Sequence, residues 1–224
     1  MKKLIVFDVN ETLLDLRALD QEFERVFGDP SRRGGWFAQV LQNSLVATIT
    51  GKYDDFGKIA GAALDMSAQR DRIELLPEDR NAILSGIRSL PAHPDAKMGL
   101  NRLRDAEFRL FTLTNSPPHV VEAQLKNSGL FEYFEAIFSV DAVKRFKPDA
   151  EVYKMTAREL GVPVDEVLLV AAHEWDVAGA LIAGCAAAFI ARPGKVLNPL
   201  MPRPDIIGND LIDVAEKIIS ADTD

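Results

Sequence analysis

The chain of 224 residues is 47% hydrophobic and 27% charged, which suits a globular protein with one core and a sizeable insertion. No apolar run approaches the roughly 20 residues of a membrane span, and 26 Lys and Arg against 34 Asp and Glu leave a net charge of -8 that opposes a hold on nucleic acid. The single cysteine, Cys185 in Ala183-Gly184-Cys185-Ala186-Ala187-Ala188, excludes a disulfide within the chain and reads as a small buried hydrophobe.

Met1-Lys2-Lys3 is followed by only Leu4-Ile5-Val6-Phe7 before Asp8, too short an apolar run for a secretory signal, so the expected compartment is the cytoplasm. Leu4 to Val9 is β-rich and almost wholly apolar, as expected of a strand buried on both faces of a parallel sheet. From about Leu16 to Leu90 the pattern turns helical, with helices expected near Leu19 to Phe27, Trp36 to Thr50, Tyr53 to Asp65 and Glu78 to Ser89. Gly28-Asp29-Pro30, Gly51-Lys52 and Leu76-Pro77 punctuate them. Apolar runs return at Arg109 to Thr114, Ala136 to Val140, Val167 to Ala171 and Ala186 to Ala191. Helices fall between several of these runs, from Val120 to Leu130 with Gly129 as its stop and from Asp149 to Leu160 before Gly161. This alternation predicts an α/β fold with a central, mostly parallel sheet formed by residues 1–15 and 91–224 and a helical cap inserted at 16–90. Such a cap can cover the carboxyl edge of the sheet, where open α/β folds place their ligands.

Asp8 ends the first apolar run in Phe7-Asp8-Val9-Asn10-Glu11-Thr12 and therefore faces that edge. A carboxylate kept ionised there can attack an electrophilic carbon or phosphorus, forming an ester that water must later open. The bland alternative is a turn or N-cap Asp. Further along come Leu113-Thr114-Asn115-Ser116, then Lys147-Pro148-Asp149 with Tyr153 downstream, then Val170-Ala171-Ala172-His173-Glu174-Trp175-Asp176. Each piece is weak alone. In this order around a helical insert they resemble the haloacid dehalogenase superfamily, and within it the type II L-2-haloacid dehalogenases.

The resemblance implies a Rossmann-like core in which Asp8 is the nucleophile, Thr12 and Thr114 orient its carboxylate or the substrate, and Lys147 supplies positive charge. Read from the residues alone, Thr114-Asn115-Ser116-Pro117 is also an ordinary helix start. Tyr153 is open between donating to the carboxylate cluster and packing a helix, and Asp176 between holding Lys147 and holding the water. Phosphatases of the superfamily carry a second Asp two residues after the nucleophile. Here that position is Asn10, and an amide cannot transfer a proton. Their acidic Mg²⁺ ligand falls at Ala172. Both losses fit a halide leaving group, so no metal and no cofactor are expected.

Two departures from the family follow. Aligning Trp36 with the family's tryptophan puts Phe37 where type II enzymes carry the Arg that receives the halide, with Arg32 and Arg33 near enough to substitute after a local shift. Trp36, Phe37, Leu41, Phe56 and Trp175 are expected to pack the cap or to wall an apolar pocket. Asn10, Thr114, Asn115 and Tyr153 join them as candidate substrate or halide contacts. The second departure replaces the family's Ser-x-Asn with Ala171-Ala172-His173, while Glu11 follows Asp8 by three residues. Read together, neutral His173 made basic by Glu11 would activate the water that hydrolyses the Asp8 ester. The catalytic set is then Asp8, Glu11, Thr12, Lys147, His173 and Asp176, acting on short 2-haloalkanoic acids with an L preference that comes only from the resemblance. The partners implied are a small haloacid, a halide ion and, from family habit, a second copy in a homodimer. The rival readings are a phosphatase-like hydrolase and a binding protein that has lost its chemistry.

Overall fold

Leu4–Phe7, every residue buried, form strand β1 at the middle of a parallel sheet, in a computed structural model that describes residues 4–223. The basic start Met1-Lys2-Lys3 lies outside the described residues. Strand β2 (Arg109–Thr114) and strand β3 (Ala136–Ser139) continue the sheet on one side, and β4 (Leu168–Ala171), β5 (Ala186–Ile190) and β6 (Ile206–Gly208) on the other. Ile5 pairs with Leu110 on one flank and with Leu168 on the other, so neither face nor edge of β1 reaches water. That explains its unbroken apolar run. The order β3-β2-β1-β4-β5-β6 reverses direction at β1, and the crevice beyond its carboxyl end is where such sheets bind ligands.

The crossovers are helices α5 (Ala96–Asp105), α6 (Pro118–Ser128), α7 (Ala150–Leu160) and α8 (Glu174–Ala183), with α9 (Leu211–Thr223) closing the chain. Gly129 and Gly161 end α6 and α7 in the left-handed conformation at φ 68° and 69°, as the sequence predicts. The sequence reading set no bounds for α5, α8 and α9 and missed β6, which has only three residues and follows a Pro-rich stretch. Cys185 is buried, and burial pushes its thiol up to about 12.

The insert holds α1 (Asp20–Phe27), α2 (Arg32–Thr50), α3 (Phe56–Asp71) and α4 (Pro77–Gly86), with no strand among its described residues. Its own core gathers Phe23, Trp36, Leu64 and Ile83. Phe23 and Trp36 rings lie 5.3 Å apart, and the Trp36 indole N–H donates to the Ala60 carbonyl at 3.0 Å. α2 starts at Arg32 rather than Trp36, because the helix runs through Gly34 and Gly35. α3 starts later than expected, because the Asp55 carboxylate caps it by accepting from Lys58 N–H at 2.9 Å. The two linkers of the insert run side by side: Asp15 N–H donates to Pro91 O and His93 N–H to Leu13 O, both at 2.8 Å.

Candidate active site

Beyond β1 the chain turns sharply. Leu13 and Leu14 N–H groups both donate to Val9 O, and Glu11 takes the left-handed conformation at φ 60°, unusual for a side-chain-bearing residue. The turn is held from outside. Buried Arg192 donates twice to Thr12 O, at 2.9 and 3.2 Å, while its third contact goes to Asp95 at 2.7 Å. His93 Nε2 lies 3.2 Å from Glu11 O. Thr12 Oγ1 donates to Asp8 Oδ2 at 2.6 Å and accepts from Ala172 N–H at 2.9 Å, locking the first loop to the loop after β4.

Asp8, 6% exposed, is the centre of a row of alternating charges. Lys147 Nζ, fully buried, lies 3.0 Å from Asp8 Oδ1 and 2.7 Å from Asp176 Oδ2. Tyr153 donates its phenol to Asp176 Oδ1 at 2.6 Å. On the other flank His173 Nδ1 lies 3.1 Å from Asp8 Oδ2, and its Nε2 lies 2.9 Å from Glu11 Oε2. The same Glu11 oxygen takes Lys195 Nζ at 2.6 Å, and Arg33 stands 3.9 Å from Oε1. Burial alone would raise the Asp8 carboxyl, but Lys147, His173 and Thr12 hold it well below the usual range, so it stays ionised and is able to act as a nucleophile. Burial likewise opposes the charge of Glu11, yet His173 and Lys195 bring it down to about 2.

His173 is held between two carboxylates. Burial would favour the neutral ring, but hydrogen bonds to Asp8 and Glu11 raise it to about 9, against the opposing charge of Lys195. With Asp8 ionised the ring is thus held as an imidazolium between two carboxylates; the neutral ring expected from sequence is assigned to the hydrolysis step, in which Asp8 carries no charge.

Asp8, Asn10, Phe37, Leu41, Phe56, Thr114, Asn115, His173 and Trp175 enclose a chamber of about 10 Å³. That is room for about one water. Phe37 and Leu41 come from α2 and Phe56 from α3, so the insert closes directly over the carboxylate. The Asn10 amide is engaged on both sides: its oxygen accepts from Gln124 at 2.9 Å and its nitrogen donates to Ser116 at 3.3 Å. Asn115 Oδ1 accepts from Lys147 N–H at 3.1 Å, which turns its NH₂ away from that bond. Phe37, Leu41, His173 and Trp175 also border a larger vestibule of about 510 Å³ that includes Glu11, Gly194 and Lys195.

Several expectations are narrowed. Tyr153 does not line the chamber; it lies behind Asp176, and Asp176 holds Lys147. Trp36 packs the insert's own core. Neither Arg32 nor Arg33 lines the chamber: Arg32 is exposed beside Asp29 and Asp71, and Arg33 pairs with Asp20 at 2.6 Å. No local shift replaces the missing arginine. Sequence reasoning missed Lys195, Arg192 and His93. For Arg192 and Lys195 the one signal was position, since Arg192-Pro193-Gly194-Lys195 directly follows the β5 run and so falls at the same carboxyl edge.

Comparison with known proteins agrees with this geometry. The sequence model of the haloacid dehalogenase-like hydrolases matches residues 2–184. The chain is 32% identical over 197 residues to an (S)-2-haloacid dehalogenase of Xanthobacter autotrophicus, covering 86% of this chain and 76% of that one. It is 30% identical over 177 residues to (S)-2-haloacid dehalogenase 1 of Pseudomonas sp. strain CBS-3, covering 78% of each. The structure of the L-2-haloacid dehalogenase of Xanthobacter autotrophicus with chloropropionic acid covalently bound superposes with a TM-score of 0.88 at 26% identity, over 97% of this chain and 98% of that one.

Proposed function

The chain belongs to the haloacid dehalogenase-like hydrolases, and on that footing we propose that it hydrolyses short (S)-2-haloalkanoic acids to 2-hydroxy acids and halide through an ester on Asp8. The observation that carries the reading is the placement of one buried carboxylate between Lys147 and His173, at the switch point of the sheet and under an apolar lid.

In the first step an Asp8 carboxylate oxygen attacks the carbon bearing the halogen. The carbon–oxygen bond forms as the carbon–halogen bond breaks, the halide leaves with the bonding pair, and the centre inverts. Lys147, held from behind by Asp176, and Thr12 keep Asp8 ionised and aimed for this attack. The chamber as closed is too small for even a two-carbon acid, so residues 16–90 act as a cap that swings Phe37, Leu41 and Phe56 away to admit substrate. Closing again excludes water and strengthens every charge interaction inside.

Forming the ester removes the negative charge of Asp8. One of the two carboxylates that kept His173 protonated is then gone, so the ring releases its proton to solvent and becomes a base. Glu11 retains Nε2–H as its partner, which leaves Nδ1 free on the side of Asp8. Neutral His173 takes a proton from water as the water oxygen attacks the ester carbonyl of Asp8. The tetrahedral adduct collapses, the alkoxy oxygen takes that proton from His173, and the 2-hydroxy acid departs. The carboxylic acid left on Asp8 passes the second proton of the water to His173, so that Asp8 is a carboxylate and His173 an imidazolium again, and overall one water is consumed while one proton and one halide are released.

This chemistry needs no proton for the leaving group, in keeping with an Asn10 whose amide is tied to Gln124 and Ser116. The test is His173→Ala incubated with 2-chloropropionate. One equivalent of halide should be released, and intact mass should show an adduct that Asp8→Asn abolishes. Wild-type turnover by His173→Ala without adduct refutes the water-activating role. Absence of halide release from the wild type across chloro- and bromo-2-alkanoates refutes the dehalogenase reading.

A further inference from the structure

We propose that Lys195 is a positioning residue for the second step: by sharing one oxygen of Glu11 with His173 it keeps that carboxylate charged without letting it monopolise the imidazole, so the ring can be emptied when Asp8 becomes an ester. The inference rests on the His173 reading above and deepens it.

The placement of Lys195 is built into the fold. Arg192 is fixed by Asp95 and by Thr12 O, and Lys195 N–H closes the next turn onto Arg192 O at 2.8 Å, with Gly194 between them at φ 81°. This carries Lys195 Nζ from the turn after β5 to within 2.6 Å of Glu11 Oε2, the oxygen that faces His173 Nε2 at 2.9 Å. The amine stands at the vestibule, with its side chain 26% exposed. Water therefore reaches it, and the vestibule gives the released proton a way out.

The charges facing the dyad come from every side. Asp8 meets the ring on the β1 loop, with Lys147 and Asp176 behind it. Arg33 of α2 faces the other Glu11 oxygen at 3.9 Å but is committed to Asp20 at 2.6 Å. Glu174 at the start of α8 borders the vestibule, and His93 meets only the backbone carbonyl of Glu11. Among the described residues Lys195 is thus the one cation hydrogen-bonded to the Glu11 carboxylate besides His173 itself. Without it, an anionic Glu11 would have a single strong partner, and that pairing alone would hold the imidazolium after Asp8 is neutralised. With it, the negative charge on Oε2 is divided between two donors.

The experiment separates the steps. Wild type, Lys195→Met, Lys195→Arg and His173→Ala are mixed with 2-chloropropionate from pH 6 to 10. Halide release reports the first step, and rapid quench with intact mass follows decay of the ester. In Lys195→Met the acid limb of ester decay should move up by about one pH unit, which makes decay about tenfold slower at a pH on that limb, and Lys195→Arg should restore it. A limb unmoved in Lys195→Met, moved equally in Lys195→Arg, or replaced by a loss in both steps at all pH values overturns the role of Lys195. Ester decay in His173→Ala at the wild-type rate would instead overturn the underlying reading of His173.

Discussion

Replacing Lys147 by Met keeps the length of the stem and removes only the ammonium, which tests what the buried charge row costs and contributes. Lys147 is 2% exposed and bridges Asp8 and Asp176 at 3.0 and 2.7 Å, so its loss leaves Asp176 with Tyr153 alone and Asp8 with His173 and Thr12. Removing one partner of a buried pair costs about 3–5 kcal/mol, a large share of the roughly 5–15 kcal/mol that holds a domain together. The pH dependence gives the sharper signature. In the wild type the depressed Asp8 carboxyl contributes stability above its unfolded value near 4, which is lost as pH falls through the lower folded value. In the variant, burial without the cation raises the folded value of Asp176 further, so the native state binds the extra proton and stability must grow more steeply as pH falls from 8 to 5 than in the wild type, where His173 alone already gives some growth. The slope is at most about 1.4 kcal/mol per pH unit for one proton. Urea unfolding at several pH values measures both effects. Lys147→Met/Asp176→Asn, which removes the orphaned charge, should recover most of the loss even where the single variant barely folds. A Lys147→Met protein destabilised by under about 1 kcal/mol, or one whose stability changes between pH 5 and 8 no more steeply than the wild type's, would refute the account.

Thr12→Val preserves shape but leaves Ala172 N–H without its acceptor and Asp8 Oδ2 with His173 in place of two donors. The expected result is a loss of about 1–3 kcal/mol by urea unfolding together with a slower halide burst. A homodimer is proposed across the exposed apolar face of α2 and α3 formed by Leu45, Val46, Ile49 and Met66. Ile49→Asp should therefore shift the sedimentation coefficient from dimer to monomer, and an unchanged monomeric value in the wild type rejects that interface.

What could be read from the sequence was what short-range chemistry writes into it. The β1 run announces a strand buried on both faces, Gly129 and Gly161 announce helix ends, and Asp8 stands where the apolar run breaks. The pairing of His173 with Glu11 was legible because both lie within a few residues of strand ends that must converge. What was not legible depends on distant parts of the chain. The direction of Tyr153, toward Asp176 and away from the chamber, is set by how α7 packs on α8. The left-handed turn at Glu11 is imposed by neighbours, since Arg192 and His93 grip it from two other loops. Lys195 belongs to a loop whose partner only the folded sheet reveals. The charge of His173 beside an ionised Asp8 was not legible, because the sequence supplies Glu11 as its neighbour while the effect of Asp8 on the other nitrogen requires the distance itself.

The two departures from the family pattern are connected through charge. Phe37 stands in the chamber wall where the resemblance implied a cap arginine, and no other arginine reaches that wall among the described residues. The one basic side chain lining the chamber is His173, and it is cationic while Asp8 is ionised. Positive charge has therefore moved from the cap to the core, and from a guanidinium that never deprotonates to an imidazolium that does. On the mechanism proposed above, the ring offsets the negative charge of substrate and leaving group during halide displacement. In the same proposal the charge that held its proton is consumed once the ester forms, and the ring becomes the base for the next step. A guanidinium at Phe37 would duplicate the first of these roles. Beside His173, whose ring lies 6.2 Å from that of Phe37, it would also favour the neutral imidazole from the outset and weaken its hold on Asp8. The aromatic residue in the cap and the histidine in the core thus belong to one electrostatic arrangement, in which each makes sense of the other.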